Sequence, residues 1–275
     1  MTEPNADDVA VVDLLARVWN DVFDLCDGLS TAEWRTMTDC PGWSVQDNVA
    51  HLIGIESTIL GIPTPDVDLG DAPHVRNDLG RMNEQWVEHF RSRPGTEVLD
   101  ELRTVTARRL EALRGLDEDG FGADSWTPAG PGTVRDLLPF RVFDTWVHEQ
   151  DLRRALGRPG DLDTPVGRLC LERVRAPMGM VLGKRVHPPD GTTVVFAVTG
   201  PVAFDHALEM VEGRAHALDR APDAPTANLE MSTETFVRLG TGRGDAEAIV
   251  ASGLVTLEGD AALGNAVATQ MNFLF

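Results

Sequence analysis

One stretch of the chain, residues 140–156, combines an apolar helix pattern with a stripe of polar side chains. It reads Phe-Arg-Val-Phe-Asp-Thr-Trp-Val-His-Glu-Gln-Asp-Leu-Arg-Arg-Ala-Leu. On a helix, Asp144, His148 and Asp151 fall on one face because they are four and three residues apart. Apolar side chains crowd around this stripe, so we expect part of it to face inward. A buried carboxylate without a partner is costly, and the stretch therefore needs polar partners from another helix.

The best source of such a partner is an upstream segment, residues 40–51. It reads Cys-Pro-Gly-Trp-Ser-Val-Gln-Asp-Asn-Val-Ala-His. The Pro-Gly pair breaks the chain, and Ser44 is suited to cap a new helix. His51 lies within that helix. The pattern predicts that His51 belongs to the same helical bundle as Asp144 and His148.

The charge of the chain excludes one class of partner. The 275 residues include 24 basic and 44 acidic ones, which gives a formal net charge of −20. DNA or RNA would meet net repulsion, since affinity for nucleic acid comes largely from neutralising phosphates. We therefore predict no nucleic-acid partner.

The start of the chain and its cysteines indicate the compartment. Residues 1–8 lack a basic region followed by an apolar core, and no apolar run approaches the roughly 18 residues of a membrane span. The three cysteines, Cys26, Cys40 and Cys170, are widely separated and odd in number, as expected for reduced thiols. The sequence predicts a cytoplasmic protein without a membrane partner. Cys40 is a weak candidate nucleophile, because the sequence shows no group that would activate it.

Helical periodicity dominates the first 157 residues. Apolar residues recur at spacings of three and four in residues 7–29, 44–60, 78–92, 96–116 and 133–156. Gly- and Pro-rich stretches between them read as loops, and we expect Trp126 to anchor the loop over residues 117–132 to the core. Residues 1–157 are therefore predicted to form an all-α unit, a four-helix bundle with one extra piece.

The pattern changes after residues 158–161, Arg-Pro-Gly-Asp, which read as a linker. Period-two alternation and β-branched residues predict strands at residues 192–198, 215–218, 227–231 and 254–257. Helical patterns occur at residues 169–182, 232–239, 245–251 and from 260 onwards. Residues 158–275 are predicted to form a smaller α+β domain.

Two histidines and a carboxylate form the candidate site. His51, Asp144 and His148 could bind a divalent transition metal and leave one position open for water or substrate. The set suits Zn²⁺, and also Fe²⁺ or Mn²⁺. Asp151, one turn further on, is placed to orient a ligand. Spacing alone leaves simpler interpretations open, because Asp-x3-His pairs occur by chance and a histidine on an apolar face often belongs to the packed core.

Longer motifs add a family resemblance. Trp34, then residues 40–52, then residues 145–155 occur in the order found in the mycothiol-dependent maleylpyruvate isomerase family of the DinB-like superfamily, which the chain resembles. Residues 236–245 and 253–260 are similar to the sterol-carrier-like domain often attached to that bundle. The resemblance implies a DinB-like bundle followed by a sterol-carrier-like α+β domain.

The resemblance also implies site residues. In the family, a histidine of the W-(S/T)-V-x-D-x3-H motif and an E-x3-H pair hold zinc, which here implies His51, Asp144 and His148 as metal ligands. Asp144 departs from the usual glutamate by one methylene, so the identity of the metal stays open. The family also uses an arginine of the C-terminal domain. Arg243 is the matching candidate for a catalytic role beside His51, although it also reads as a solvated loop arginine.

The implied chemistry is metal-assisted thiol addition, with mycothiol as the low-molecular-weight thiol. Metal coordination deprotonates a thiol near neutral pH, and the thiolate can attack an electrophilic carbon. Arg243, or another arginine such as Arg238, could hold the carboxylate of an acidic substrate. Glu56 could act as a general base, although we expect it on the solvated helix surface.

The leading hypothesis is a zinc-dependent isomerase of the maleylpyruvate type, or a thiol S-transferase, that acts on a small electrophilic substrate. The first alternative is a non-enzymatic protein whose C-terminal domain binds a lipid or another small apolar molecule while the bundle is a scaffold. The second is a regulatory module that keeps a metal site only for stability.

Overall fold

The computed structural model describes residues 4–70 and 72–274. The chain divides into two compact units. We call Met1–Gly160 the N-terminal unit and Asp161–Phe275 the C-terminal unit. No helix among the described residues is both long enough and apolar enough to cross a bilayer.

The N-terminal unit is mainly helical. Its helices are α1 (Ala6–Cys26), α2 (Thr31–Trp34), α3 (Val45–Ile59), α4 (Asp78–Arg91), α5 (Gly95–Arg114), α6 (Glu118–Phe121) and α7 (Val134–Ala155). Helix α1 contacts α7 and α5, and α3 also contacts α7 and α5, so these four helices close a ring. Helix α4 packs against the outside of that ring through α3.

Local sequence explains where these helices lie and begin. The stripe Val12, Leu15, Val18 and Val22 of α1 is buried, as its spacing predicts. At the start of α3, the Ser44 side chain accepts a hydrogen bond from the backbone of Asp47, and the Asp47 side chain accepts one from the backbone of Ser44. This capping box satisfies two of the backbone N–H groups left open at a helix start.

A β-hairpin lies between α6 and α7 and corrects the prediction of an all-α unit. Strands β1 (Asp124–Thr127) and β2 (Gly130–Thr133) pair antiparallel. The glycine and proline residues that suggested a loop instead form the turn and second strand, because Gly130 adopts a φ of 113° that other residues disfavour. Trp126 is 60% exposed, so the expectation that it anchors this segment to the core was wrong.

The C-terminal unit contains a mixed five-stranded sheet. Its strands are β3 (Thr193–Thr199), β4 (Phe204–Val211), β5 (Arg214–Ala217), β6 (Ala227–Ser232) and β7 (Val255–Gly259). They lie in the order β5-β4-β3-β6-β7, with β3 and β6 parallel and the other pairs antiparallel. The helices are α8 (Pro165–Arg175), α9 (Met178–Met180), α10 (Thr233–Gly240), α11 (Ala246–Ala251) and α12 (Ala261–Thr269), and Val181–Val186 forms a π-helix. The predicted α+β character of this unit is confirmed.

Strand β4 was missed by the sequence analysis. It buries three consecutive residues, His206, Ala207 and Leu208, and then Met210. A strand that buries neighbouring residues lacks the strict alternation that reveals a half-buried strand.

Candidate metal centre

The structure brings together the three side chains that the sequence singles out. His51 comes from α3, and Asp144 and His148 come from consecutive turns of α7. Nε2 of His51 lies 3.4 Å from Oδ2 of Asp144, and Nε2 of His148 lies 3.9 Å from Oδ1 of Asp144. One ligand atom from each residue lies within 4.8 Å of the other two. We call these three residues the histidine cluster.

The histidine cluster is buried on its histidine side and open at its carboxylate. His51 and His148 are almost fully buried, whereas the side chain of Asp144 is 34% exposed. A small molecule can therefore approach the cluster at Asp144 while the bundle covers the two rings. This arrangement suits a reactive centre, in which some ligand positions are fixed and one is accessible.

His51 has the properties of a metal ligand. Neither ring nitrogen makes a hydrogen bond to a described residue, although buried polar atoms are nearly always paired. Burial, together with repulsion from His148, lowers the pKa of the His51 imidazole to about 4. The ring is therefore neutral at pH 7, so one nitrogen carries a lone pair for a cation. A role as a metal ligand explains a neutral, buried imidazole without such a hydrogen bond better than a packing role does.

Buried charges continue from the cluster into the bundle. Nη1 of Arg141 donates to Oδ2 of Asp144 at 2.9 Å, and Nε of Arg141 donates to Oε1 of Glu56, also at 2.9 Å. Arg109 lies on the other side, with Nε 3.4 Å from Oε2 of Glu56. Partial burial would raise the pKa of the Asp144 carboxyl, but Arg141 and the two histidines together bring it well below its usual value. Asp144 is therefore a carboxylate at neutral pH.

The expectation that Glu56 lies on the solvated helix surface was wrong. Its side chain is fully buried and faces two arginines. Salt bridges to Arg109 and Arg141 compensate its charge inside the bundle. Glu56 thus contacts the arginine that orients Asp144. This contact could not be predicted from local sequence, because the two arginines come from other helices.

Asn48 was not singled out from the sequence, yet it fixes the ring of His148. Its Nδ2 donates to the backbone carbonyl of Ser44, so its Oδ1 faces Nδ1 of His148 at 2.7 Å. An amide oxygen only accepts hydrogen bonds, and Nδ1 of His148 is therefore the donor to Asn48. Nε2 is the nitrogen that faces the histidine cluster. The sequence feature that could have indicated this role is an asparagine one turn before His51 on an apolar helix.

Asp151 contacts the same ring, and this contact agrees with the expectation that it orients a ligand. Its Oδ2 lies 3.3 Å from Nδ1 of His148. The thiol of Cys40 donates to the same oxygen at 3.2 Å. Cys40, for which the sequence showed no activating group, therefore has a buried carboxylate as its hydrogen-bond partner.

Trp43 covers the two histidines. Its ring centroid lies 5.1 Å from that of His51 and 6.0 Å from that of His148. The indole Nε1 donates to Oε2 of the buried Glu84 at 2.8 Å. This hydrogen bond fixes the indole as an apolar wall of the cluster, and such a wall limits access of water.

Arg243 lies in the C-terminal unit, on the turn after α10. Its side chain is half-buried, and Nη1 donates to the backbone carbonyl of Thr241 at 3.1 Å. The histidine cluster belongs entirely to the N-terminal unit. The catalytic role of Arg243 therefore stays a prediction.

Solved structures of similar fold come from an isomerase. The crystal structure of the mycothiol-dependent maleylpyruvate isomerase aligns with a TM-score of 0.56 and 16% identity, over 91% of this chain and 92% of that chain. A histidine-to-alanine mutant of that isomerase aligns with a TM-score of 0.58 and 15% identity over the same shares. At such low identity the likeness establishes a shared fold.

Two uncharacterized proteins from two strains of Mycobacterium tuberculosis are also similar. Each is 26% identical over 149 residues, which are 54% of this chain and 56% of the relative. This chain thus spans little more than half the length of the curated relatives it matches.

The family matches cover both units. Residues 181–272 match the SCP-2 sterol transfer family. Residues 15–153, just over half of the chain, match the mycothiol maleylpyruvate isomerase N-terminal domain and include all three residues of the histidine cluster. The motifs, the shared fold and this match together show that the chain belongs to the mycothiol-dependent maleylpyruvate isomerase family.

Proposed function

We propose that this protein is a zinc-dependent enzyme that uses mycothiol to isomerise a small acidic electrophile of the maleylpyruvate type. The observation that carries the proposal is the buried, neutral His51, whose ring nitrogens make no hydrogen bond to a described residue and lie beside Asp144 and His148. The family membership supports mycothiol as the thiol.

In this proposal His51, Asp144 and His148 hold the zinc. Its chemistry, when it is bound, is to lower the pKa of a thiol so that the thiolate is available as a nucleophile. Two nitrogen ligands and one carboxylate leave a position for such a sulfur donor. The donor set therefore fits the proposed metal, and Fe²⁺ or Mn²⁺ would also accept it.

The protein side chains around the cluster have separate tasks. Arg141 keeps Asp144 ionised and oriented, and Asn48 keeps the lone pair of His148 directed at the cluster. Trp43 excludes water from the histidine side. Arg243 remains our candidate for holding the carboxylate of the substrate, because a guanidinium binds carboxylates in a bidentate geometry.

Metal analysis of protein purified without added metal tests the site. We expect about one zinc per chain in the wild type and a loss of bound zinc in His51→Ala. His89→Ala is the matched control, since His89 lies on α4 and makes its hydrogen bond with Arg93 outside the cluster. Equal zinc content in both variants would exclude the proposed ligands.

Turnover of maleylpyruvate with mycothiol then tests the activity. We expect mycothiol-dependent isomerisation that is lost in His51→Ala and kept in His89→Ala. Product analysis separates the two reaction types, because an isomerase releases free thiol whereas an S-transferase leaves a stable thioether. A metal-loaded wild type without thiol-dependent turnover would contradict the enzymatic proposal and favour a structural role for the metal.

A further inference from the structure

A second group of metal-competent atoms lies at the other nitrogen of His148. Sγ of Cys40 and Oδ2 of Asp151 are 3.2 Å apart, Oδ2 is 3.3 Å from Nδ1 of His148, and Sγ is 4.0 Å from that nitrogen. All three side chains are buried. We call Cys40, His148 and Asp151 the thiol cluster.

The spacing of the thiol cluster suits a single cation. For zinc, bond lengths of about 2.0 to 2.3 Å at tetrahedral angles place ligand atoms roughly 3.3 to 3.8 Å apart. The three separations in the thiol cluster lie at or just outside the limits of that range, so shifts of a few tenths of an ångström would close the site. In the histidine cluster, one of the two separations given above lies inside the range and the other lies just outside it.

The charges around the thiol cluster would balance those of a bound divalent cation. Arg154 faces two carboxylates, with Nε 3.0 Å from Oδ2 of Asp39 and a second contact to Oδ1 of Asp151. Oδ2 of Asp151 is therefore directed to Cys40 and His148. Binding of a divalent ion would release the thiol proton of Cys40 to solvent, and the thiolate with Asp151 would then balance the two positive charges.

We propose that the thiol cluster binds a thiophilic divalent cation such as Cd²⁺, and that this binding excludes a cation at the histidine cluster. A thiolate ligand selects soft metals over hard ones. The histidine cluster contains no sulfur, so the two clusters differ in the cations they prefer. The exclusion, though not the thiol cluster itself, rests on the function proposed for the histidine cluster.

The exclusion follows from the chemistry of a neutral imidazole, in which one nitrogen carries the proton and the other carries the lone pair. Asn48 holds the proton on Nδ1, which directs the lone pair of Nε2 to the histidine cluster. A cation at Nδ1 needs the opposite tautomer, with the proton on Nε2 directed towards Oδ1 of Asp144. His148 therefore serves one cluster at a time, and Asn48 favours the histidine cluster when no soft cation is present.

Cadmium titration of the metal-free full-length chain tests the proposal, because a cadmium–thiolate bond gives a charge-transfer absorption in the ultraviolet. We expect the band in the wild type and its loss in Cys40→Ser. Cys26→Ser and Cys170→Ser are matched controls, since both cysteines are buried outside the thiol cluster, and we expect them to keep the band. A wild type without the band, or an unchanged band in Cys40→Ser, would overturn the proposal.

Three further measurements keep the test decisive if Cys40→Ser fails to fold. Cadmium NMR of the wild type reports sulfur ligation directly, and a shift typical of nitrogen and oxygen ligands alone would overturn the thiol cluster. The His51→Ala variant should keep the band, because His51 belongs only to the histidine cluster. Two tightly bound cadmium ions per wild-type chain would overturn the exclusion. None of these readouts requires turnover, so failure of the proposed enzymatic activity would leave them interpretable.

Discussion

The two units bury different kinds of polar side chain. In the described part of the C-terminal unit these are one histidine and four threonines, namely Thr192, His206, Thr233, Thr235 and Thr241. The N-terminal unit buries aspartates, glutamates, arginines and histidines, among them Asp8, Asp47, His51, Glu56, Glu84, Arg109, Arg141, His148, Glu149 and Asp151. Buried ion pairs contribute little net stability compared with apolar packing. The difference indicates that the C-terminal unit is stabilised mainly by packing, whereas the N-terminal unit also keeps charged side chains in its interior, several of them in or beside the histidine cluster.

The largest effect should come from removing a buried charge in the N-terminal unit. Glu56→Ala leaves Arg109 and Arg141 without their shared carboxylate, and we expect it to lower the free energy of unfolding by about 3 to 5 kcal/mol. Glu230→Ala is the control, because Glu230 is exposed on β6 and such a change costs only about 0.5 kcal/mol or less. Urea unfolding measures both, and equal losses would remove the contrast between the units.

The pH dependence of His206 should be the next largest effect, and it belongs to the C-terminal unit. Burial, with repulsion from Arg175, lowers the pKa of His206 to about 4, against 6.5 for the free side chain. The unfolded chain then binds more protons between these values, so stability rises with pH from 4 to 6.5 by up to about 3 kcal/mol. His206→Gln, measured by urea unfolding across this range, should flatten that slope. An unchanged slope would contradict the shift.

Glu149 in the N-terminal unit should show the opposite sign. Burial raises its pKa from 4.5 to about 7, although Arg153 opposes the shift. Between these values the folded chain binds more protons than the unfolded chain. The free energy of unfolding therefore falls as pH rises from 4.5 through 7, by at most about 3 kcal/mol. Glu149→Gln keeps an oxygen for Arg153 and should lose less stability than the wild type over that interval. A variant that follows the wild-type curve would show that Glu149 titrates normally.

The smallest effect concerns metal affinity rather than folding. Asn48→Ala removes the nearer of the two oxygens at Nδ1 of His148, and loss of such a contact typically lowers metal affinity about 10- to 100-fold. Gln46→Ala is the control on the same helix, because Gln46 donates to backbone carbonyls near the end of α4 and does not contact the histidine cluster. Zinc titration against a competing chelator measures both, and equal affinities would exclude the role of Asn48.

Local patterns predicted much of the fold. The apolar stripe of α1 and the helix cap at Ser44 depend on residues a few positions apart, and both were found as expected. His51, Asp144 and His148 were identified because each lies within a short motif. Such features depend on residues three or four positions apart, so a single sequence is enough to reveal them.

Contacts between distant segments could not be predicted in this way. Glu56 meets its two arginines from α5 and α7, and Cys40 meets Asp151 at a separation of 111 residues. A single sequence does not show which charges pair, because the residues next to a buried glutamate do not distinguish it from an exposed one. Strand β4 was missed for a different reason, since its buried residues do not alternate.

The histidine cluster draws His51 from α3 and its other two members from α7, nearly a hundred residues later. A cation held there would act as a cross-link that the unfolded chain cannot form, because the ligands meet only once the bundle has assembled. Because the metal would bind the native state and not the unfolded chain, the melting temperature would rise with the concentration of free metal. Supply of metal would then set the temperature at which the bundle unfolds.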